Sequence, residues 1–456
     1  SGGGILLECD RLEGDGSIEA NGGEANNSAG AGGGGRIAVH YRGMIELPRE
    51  NISCAGGNDA NAGYTGGAGT LFLKDTDDEY GRLILDNAHH DYSWYRPSLV
   101  TMDSNMIDRL YVDDQARLEL HASNEVYLTE TVLSGAFVTM YGDVAGPDIV
   151  LSNGTWVHAG AFGYTGNVVL VDASVLTHSD EYENGLSIAC AGVRVGADSS
   201  IDVSGRGWER IAGTTGRGGG SYGGRGGNYT FGDHSGPTYG DAFQPASLGC
   251  GNSDARGGGR LKVVADTIEL EGSICANGEE GPEYTGNGSG GAVWLDVGTL
   301  SGGGAIEANG GEANNSGGAG GGGRIAVYYD TVTGFNLHAI ECAGGADGNS
   351  DYAGGAGTVY LRDNADAFGR LVLDNMNHRY SRSRPTPLTM DTVMIDELYV
   401  RDYACLTLVA SNNVYLTDTV VSGAYVTFTG NVAGPDIVLS NGTWVHAGAF
   451  GYTGNV

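Results

Sequence analysis

Apolar and polar residues alternate over much of this chain. In the segment RLYVDDQARLELHASNEVYLTETVLSGAFVTMY, Leu110, Val112, Leu118, Leu120, Val126, Leu128, Val132 and Val138 recur at the spacing of strands with one buried face. Polar residues stand between them, so the segment reads as a series of short, half-buried strands. No stretch of comparable length carries an amphipathic helical stripe. The pattern predicts an all-β chain with almost no helix.

The strands belong to a repeat. Residues 17–41, SIEANGGEANNSAGAGGGGRIAVHY, return at 305–329 as AIEANGGEANNSGGAGGGGRIAVYY, and residues 144–168 return unchanged at 432–456. The offset is 288 residues in both places, residues 1–168 lie on 289–456 without a gap, and 169–288 appear once. A smaller unit recurs inside the larger one: IEANGG at 18, ISCAGG at 52, IDVSGRG at 201, ICANGE at 274, IEANGG at 306 and IECAGG at 340. Neighbouring copies lie 32 to 34 residues apart and are separated by second strands such as GGGGRIAVHY and GGAGTLFLKD. A single coil of this kind cannot bury its strands, whereas coils stacked along an axis bury a continuous inner column.

The expected architecture is therefore one continuous, elongated parallel β-solenoid over 1–456. Its glycine-rich runs leave the coil as excursions, using glycine for positive φ and for close backbone approach. A long Gly-rich insertion is expected at about 205–259. With roughly ten coils per repeat and about 4.8 Å per coil, one repeat advances about 45 Å, which puts the equivalent Cys54 and Cys342 too far apart to bond. Ser1 matches Ser289 within a glycine-rich loop, and Val456 matches Val168 in the middle of an apolar run. That placement leads us to expect one segment of a longer chain or of a head-to-tail polymer.

Composition narrows the function classes. Gly accounts for 83 of 456 residues, yet 40% of the chain is hydrophobic, enough to build a core. The glycines have no strict three-residue period, which excludes a collagen triple helix. Lys and Arg total 24 against 56 Asp and Glu, a formal charge of -32 that repels nucleic acid and anionic membrane surfaces. Neither is expected as a partner, and with no run of about 18 apolar residues, membrane insertion is not expected. The seven cysteines form no CxxC pair and no Cys/His spacing suited to zinc. Asn26, Asn51, Asn153, Asn228, Asn287, Asn314 and Asn441 head N-x-S/T sequons, candidate glycosylation sites in an extracellular or cell-surface protein.

The block GGGSYGGRGGNYTFGDHSGPTYGDAFQPASLGCGNSDARGGGRLKVV at 218–265, with the G-x-I-x-A-x-G-G pattern followed by GGGGRI, resembles glycine-rich regions of very large secreted or surface proteins, mainly bacterial. The resemblance covers chiefly 1–75 and 190–365. It implies a β-helical, extracellular, adhesive or matrix-forming protein, and it brings no catalytic residues with it.

The chain also carries residues with candidate chemistry. Parallel β-helices also house polysaccharide-cleaving enzymes, which need converging carboxylates. The candidates are Asp103 with Asp108, Asp391 with Asp396, and Asp113 with Asp114, although Asp113 becomes Arg401 in the second copy. The insertion holds Trp208, Glu209, His234, Asp241 and Cys250; His234 beside Asp233 has the makings of a base or a ligand, or of a solvated loop residue. HHDYSWYRP at 89–97 offers aromatic rings to sugars but becomes NHRYSRSRP at 377–385, with Arg382 in place of Trp94. Calcium is the candidate ion, since acidic glycine-rich loops suit a hard cation. Its candidate ligands are Asp59 and Asn61 in one loop and Asp347, Asn349 and Asp351 in its counterpart, where a solvated acidic surface explains the same residues.

The sequence thus points away from an enzyme and toward a structural extracellular fibre that self-associates head to tail. The alternatives are a surface adhesin or stalk that binds polysaccharide or a host surface and, third, a polysaccharide-cleaving enzyme.

Overall fold

Parallel pairing at a short, regular sequence offset organises this protein. The computed structural model describes residues 1–456 apart from 26–29, 60–61, 91–96, 211–213, 230–231, 253–254, 314–316, 348–351, 380–384 and 455–456. Among the described residues there is no α-helix, only 3-10 turns at Arg49–Asn51, Ala62–Tyr64 and Leu337–Ala339. The all-β expectation holds. No helix of the described residues is long and apolar enough to cross a membrane.

The chain divides into two compact units, Ser1–Thr177 with Ile188–Ser200, and His178–Ser187 with Ile201–Val456. In the first, Gly4–Leu12 pairs with Arg36–Ile45, which pairs with Thr70–Asp75; Ile5, Ile37 and Leu71 lie opposite one another. The short IEANGG-type strands stack as well, with Ile18 opposite Ile52. The smaller sequence repeat is thus the pairing register of the sheets. Farther along, where the glycine excursions are absent, the offset shortens. Leu118 lies opposite Val138 and Val138 opposite Trp156, while Leu110 faces Thr131 and Ile149 faces Val168.

The second unit repeats the scheme. Arg260–Leu270, Ala292–Ser301, Arg324–Thr333 and Thr358–Asp363 form one parallel ladder, in which Leu261, Val293, Ile325 and Val359 share a row. Ile274, Ile306 and Ile340 form another. These rows are almost inaccessible to solvent, and each large aliphatic side chain in them contributes about 2 kcal/mol through burial.

Two expectations are corrected. Val132 does not face the core: after the bend at Thr129 the strand Glu130–Ser134 resumes one residue out of phase, so Thr131 and Leu133 are buried and Val132 faces outward. Nor is the pairing parallel throughout. Thr70–Asp75 and Gly81–Asp86 are antiparallel, as are Thr358–Asp363 and Gly369–Asp374. The linkers are far shorter than the dozen or so residues that a parallel crossover needs. The first turn is clamped by Lys74, whose Nζ donates to the carbonyls of Asp78 and Glu79 at 2.6 and 2.7 Å. Gly81 makes room for the Phe72 ring, which a Cβ there would approach to 2.7 Å.

Candidate functional site

The glycine excursions form a lattice of extended segments. Along Gly318–Gly323 in the second unit, successive backbone N–H groups donate in rotation. Ala319 and Gly322 donate to the carbonyls of Tyr352 and Gly355 at 2.7 and 2.9 Å. Gly320 and Gly323 donate to Gly311 and Ala308 at 2.9 and 2.7 Å, and Gly318 and Gly321 to Arg217 and Gly220 at 2.8 and 3.0 Å. A period of three with every bond directed to a neighbour is the habit of a polyproline II chain, which satisfies no backbone group internally. Close approach rather than positive φ sets the need for glycine here: a Cβ on Gly320 would stand 1.8 Å from the Gly288 carbonyl oxygen, and one on Gly322 2.0 Å from that of Cys342.

The long insertion is part of this lattice. Gly224 and Gly227 donate to Gly322 and Ala319 at 2.7 and 2.8 Å, and Gly355 donates to Arg225 at 2.8 Å. Beside it Arg324 is 2% exposed. Its Nε donates to the Tyr239 carbonyl at 3.0 Å, an Nη donates to Thr358 Oγ1 at 3.2 Å, and its guanidinium lies 5.6 Å from the centre of the Tyr222 ring. Burial pushes the Tyr222 hydroxyl up to about 12 and lowers the pKa of Arg324, but a guanidinium holds its proton even so.

Asparagine side chains tie neighbouring glycine segments together. The backbone N–H of Asn309 donates to Asn277 Oδ1 at 2.7 Å, and Asn309 Oδ1 in turn accepts from Ala343 at 2.8 Å. Asn375 is fully buried; its Oδ1 accepts from Gly344 and its Nδ2 donates to the carbonyls of Gly354 and His378. Asn21 and Asn87 do the same work in the first unit.

The chemistry-bearing residues of the insertion are scattered through this framework. Asp241 caps a turn by accepting from Phe243 and Gln244, and Glu209 pairs with Arg256 at 3.0 Å. Cys250 is inaccessible, and its Sγ donates to the Ser221 carbonyl. The Trp208 and Tyr239 rings lie 6.1 Å apart. His234 is exposed, with its Nδ1 3.3 Å from Asn228 Nδ2. Trp94 and Arg382 lie outside the described residues.

Four of the carboxylate candidates, Asp103, Asp108, Asp391 and Asp396, tie segments about 20 residues apart to one another. Ser123 Oγ donates to Asp103 Oδ1, and Ser411 Oγ to Asp391 Oδ1. Thr129 and Thr417 donate to the carbonyls of Asp108 and Asp396. Asp113 lines an open groove of about 670 Å³ with Tyr41, Arg49, Asp75, Arg82 and Tyr111. Burial, then Asp86, then Asp114 push its pKa up to about 6 against the lowering effect of Arg49. Asp114 is 3.0 Å from His89 Nδ1. In the matching cavity of about 210 Å³ in the second unit, Leu337 replaces Arg49 and Arg401 replaces Asp113. Arg49 sits 3.2 Å from Asp86; Arg401 sits 3.6 Å from Asp374, the equivalent acid. The cation has moved from the 3-10 turn Arg49–Asn51 to the end of the strand Ile395–Arg401 while its carboxylate partner stayed, a relationship that single positions in the sequence conceal.

Of the calcium candidates, Asp59 is largely buried, with Thr65 Oγ1 donating to its carbonyl at 3.4 Å, and Asp347 is half-buried. Asn61, Asn349 and Asp351 lie outside the described residues, among which no three His, Cys, Asp or Glu side chains gather as a metal site. Asn153 and Asn441 are exposed, and Asn51 and Asn228 partly so. Asn287 is 1% exposed and donates to the Gly318 carbonyl, so in the folded lattice its amide is closed to a modifying enzyme. Asn26 and Asn314 lie outside the described residues. Among the described residues none of the seven cysteines forms a disulfide.

No protein-family model, no curated protein and no solved structure matches this chain.

Proposed function

We propose that this chain is a structural extracellular protein, a β-solenoid whose coils stack head to tail into a fibre. One observation carries the reading. The sequence of 144–168 recurs unchanged at 432–456, yet the two copies differ in burial. In the first, Leu151, Trp156 and Phe162 are at most 3% exposed beneath Asn167–Val171, Val175–His178 and the strand that contains Ile188. In the second, Leu439 and Phe450 are 41% and 44% exposed. The same residues thus form a finished core wherever a further coil covers them, and stacked copies of the repeat would supply that coil. The interlocked glycine segments and the exchanged ion pair suit a scaffold better than an active site.

Electron microscopy and sedimentation across a concentration series test the idea. Filaments are expected from the wild-type chain and not from Leu439→Asp. A wild-type chain that stays monomeric at millimolar concentration would refute the fibre.

A second reading, the adhesin or stalk, draws on the exposed tyrosines Tyr64, Tyr127, Tyr141, Tyr284, Tyr403 and Tyr415, whose rings suit sugar faces. It predicts retention on a polysaccharide column that weakens in Tyr415→Ala, and an unretained wild-type chain would dismiss it.

A further inference from the structure

The glycine lattice of the first unit lacks one of its three neighbours. Ala31 and Gly34 donate to Tyr64 and Gly67 at 2.7 and 2.9 Å, and Gly32 and Gly35 donate to Gly23 and Ala20 at 2.8 and 2.7 Å. These are two of the three directions found around Gly318–Gly323. The third belongs to Gly33, the counterpart of Gly321, and to Gly67, the counterpart of Gly355. Among the described residues no carbonyl accepts from either N–H group, whereas Gly321 and Gly355 donate to Gly220 and Arg225. Arg36 is exposed where Arg324 is buried, and Ala38 is half-buried where Ala326 is inaccessible.

The near-identical face in the second unit shows what fits. There Arg217–Gly227 supplies the third set of hydrogen bonds, Tyr239 accepts from Arg324 Nε, and Tyr328, whose place His40 takes in the first unit, donates its Oη–H to the Phe243 carbonyl at 2.8 Å. We propose that the face formed by Gly30–Arg36 and Gly67 of the first unit is a docking surface for the Arg217–Phe243 insertion of another copy of the repeat. The recognition chemistry is backbone to backbone. Gly33 and Gly67 donate to its carbonyls, its N–H groups donate back, and Arg36 moves under its two tyrosines as Arg324 does under Tyr222 and Tyr239. Glycine at position 33 acts as the selectivity element. A Cβ there meets nothing nearer than the Gly67 carbonyl at 3.8 Å, whereas one on Gly321 would stand 2.2 Å from the Gly224 carbonyl of the docked insertion. The first unit itself therefore tolerates alanine at 33, and the docked partner does not.

A chain with a second copy of residues 169–288 fused ahead of Ser1 tests this, because it places an insertion at the spacing that precedes Ser289. The amide exchange of Gly33 and Gly67 is read by NMR in the original and extended chains. Extension is expected to slow both amides at least 100-fold. Gly33→Ala is expected to abolish that protection in the extended chain while leaving the melting temperature of the original chain within about 1 °C. The added copy's own Gly220 amide, which bonds within the copy to Asn287, reports whether that copy is folded. Gly33 exchange that stays fast, an added copy that remains unprotected, or protection that survives Gly33→Ala would each overturn the proposal. A soluble extended chain shows the effect as well as a fibre does, so its failure is separable from that of head-to-tail assembly.

Discussion

The imidazole of His178 accepts a hydrogen bond from the backbone N–H of Arg260, 3.2 Å from its Nε2, while its Nδ1–H donates to the Ser179 carbonyl at 2.8 Å. Only a neutral ring can make both bonds. Protonation would set two N–H groups against each other in a site that is fully closed to solvent.

Burial pushes His178 down to about 4, and His158, 1% exposed, likewise to about 4. In the unfolded chain a histidine titrates near 6.5. Between those values the unfolded state binds the extra proton, so stability is complete above pH 6.5 and falls as the pH drops toward 4, by about 3 kcal/mol per histidine. Melting temperatures between pH 4 and 7 should drop steeply on the acid side in the wild type. They should drop less in His158→Gln with His178→Gln, and parallel curves would contradict the assignment.

Asp113 shifts stability the other way. With a folded pKa of about 6 above an unfolded value near 3.9, the folded state holds the proton more tightly, and stability is lost as the pH rises from about 4 through 6. Asp113→Asn should stabilise by about 1 kcal/mol at pH 7, after allowance for solvent screening, and leave pH 4 unchanged. The exchanged ion pair adds a rescue. Arg49→Leu alone should cost about 1 kcal/mol, and Arg49→Leu with Asp113→Arg should regain it, as denaturant titration would show.

Asn375 makes three hydrogen bonds from a fully buried amide. Asn375→Ala should cost about 2–4 kcal/mol, since it strands one N–H and two carbonyls. Asn375→Asp should be no better, because a carboxylate oxygen would then face two carbonyl oxygens. Equal stability of Asn375→Asp and the wild type in urea would remove this role.

Leu151 and Leu439 occupy the same place in the repeat with opposite exposure. Leu151→Asp should cost about 4 kcal/mol by burying an unpaired charge. Leu439→Asp should cost under about 1 kcal/mol in the monomer. Similar losses for both would mean that the second site is covered in solution even without assembly.

Strand positions were legible in the sequence because period-two alternation is a local signal: Leu110, Val112, Leu118 and Leu120 all lie inside. Val132 was misplaced because one bend resets the phase without changing composition. The 32- and 34-residue spacings translated directly into the rows of Ile274, Ile306 and Ile340. Close backbone approach at the glycine runs was legible, but the partners in the lattice were not, because Gly219 meets Ala319 through backbone atoms and glycine leaves no side-chain pattern to read at that distance. The asparagine ladder had a sequence trace in the recurring A-N-G. The exchange of Arg49 for Arg401 becomes visible only when the two copies are compared in space.

Holding the glycine segments together by peptide groups also sets their response to cold. Apolar burial weakens on cooling because exposing apolar surface raises the heat capacity, whereas exposing polar surface lowers it. A lattice with almost no side chains therefore loses little of its cohesion near freezing, where the Ile and Leu columns beside it have lost part of theirs.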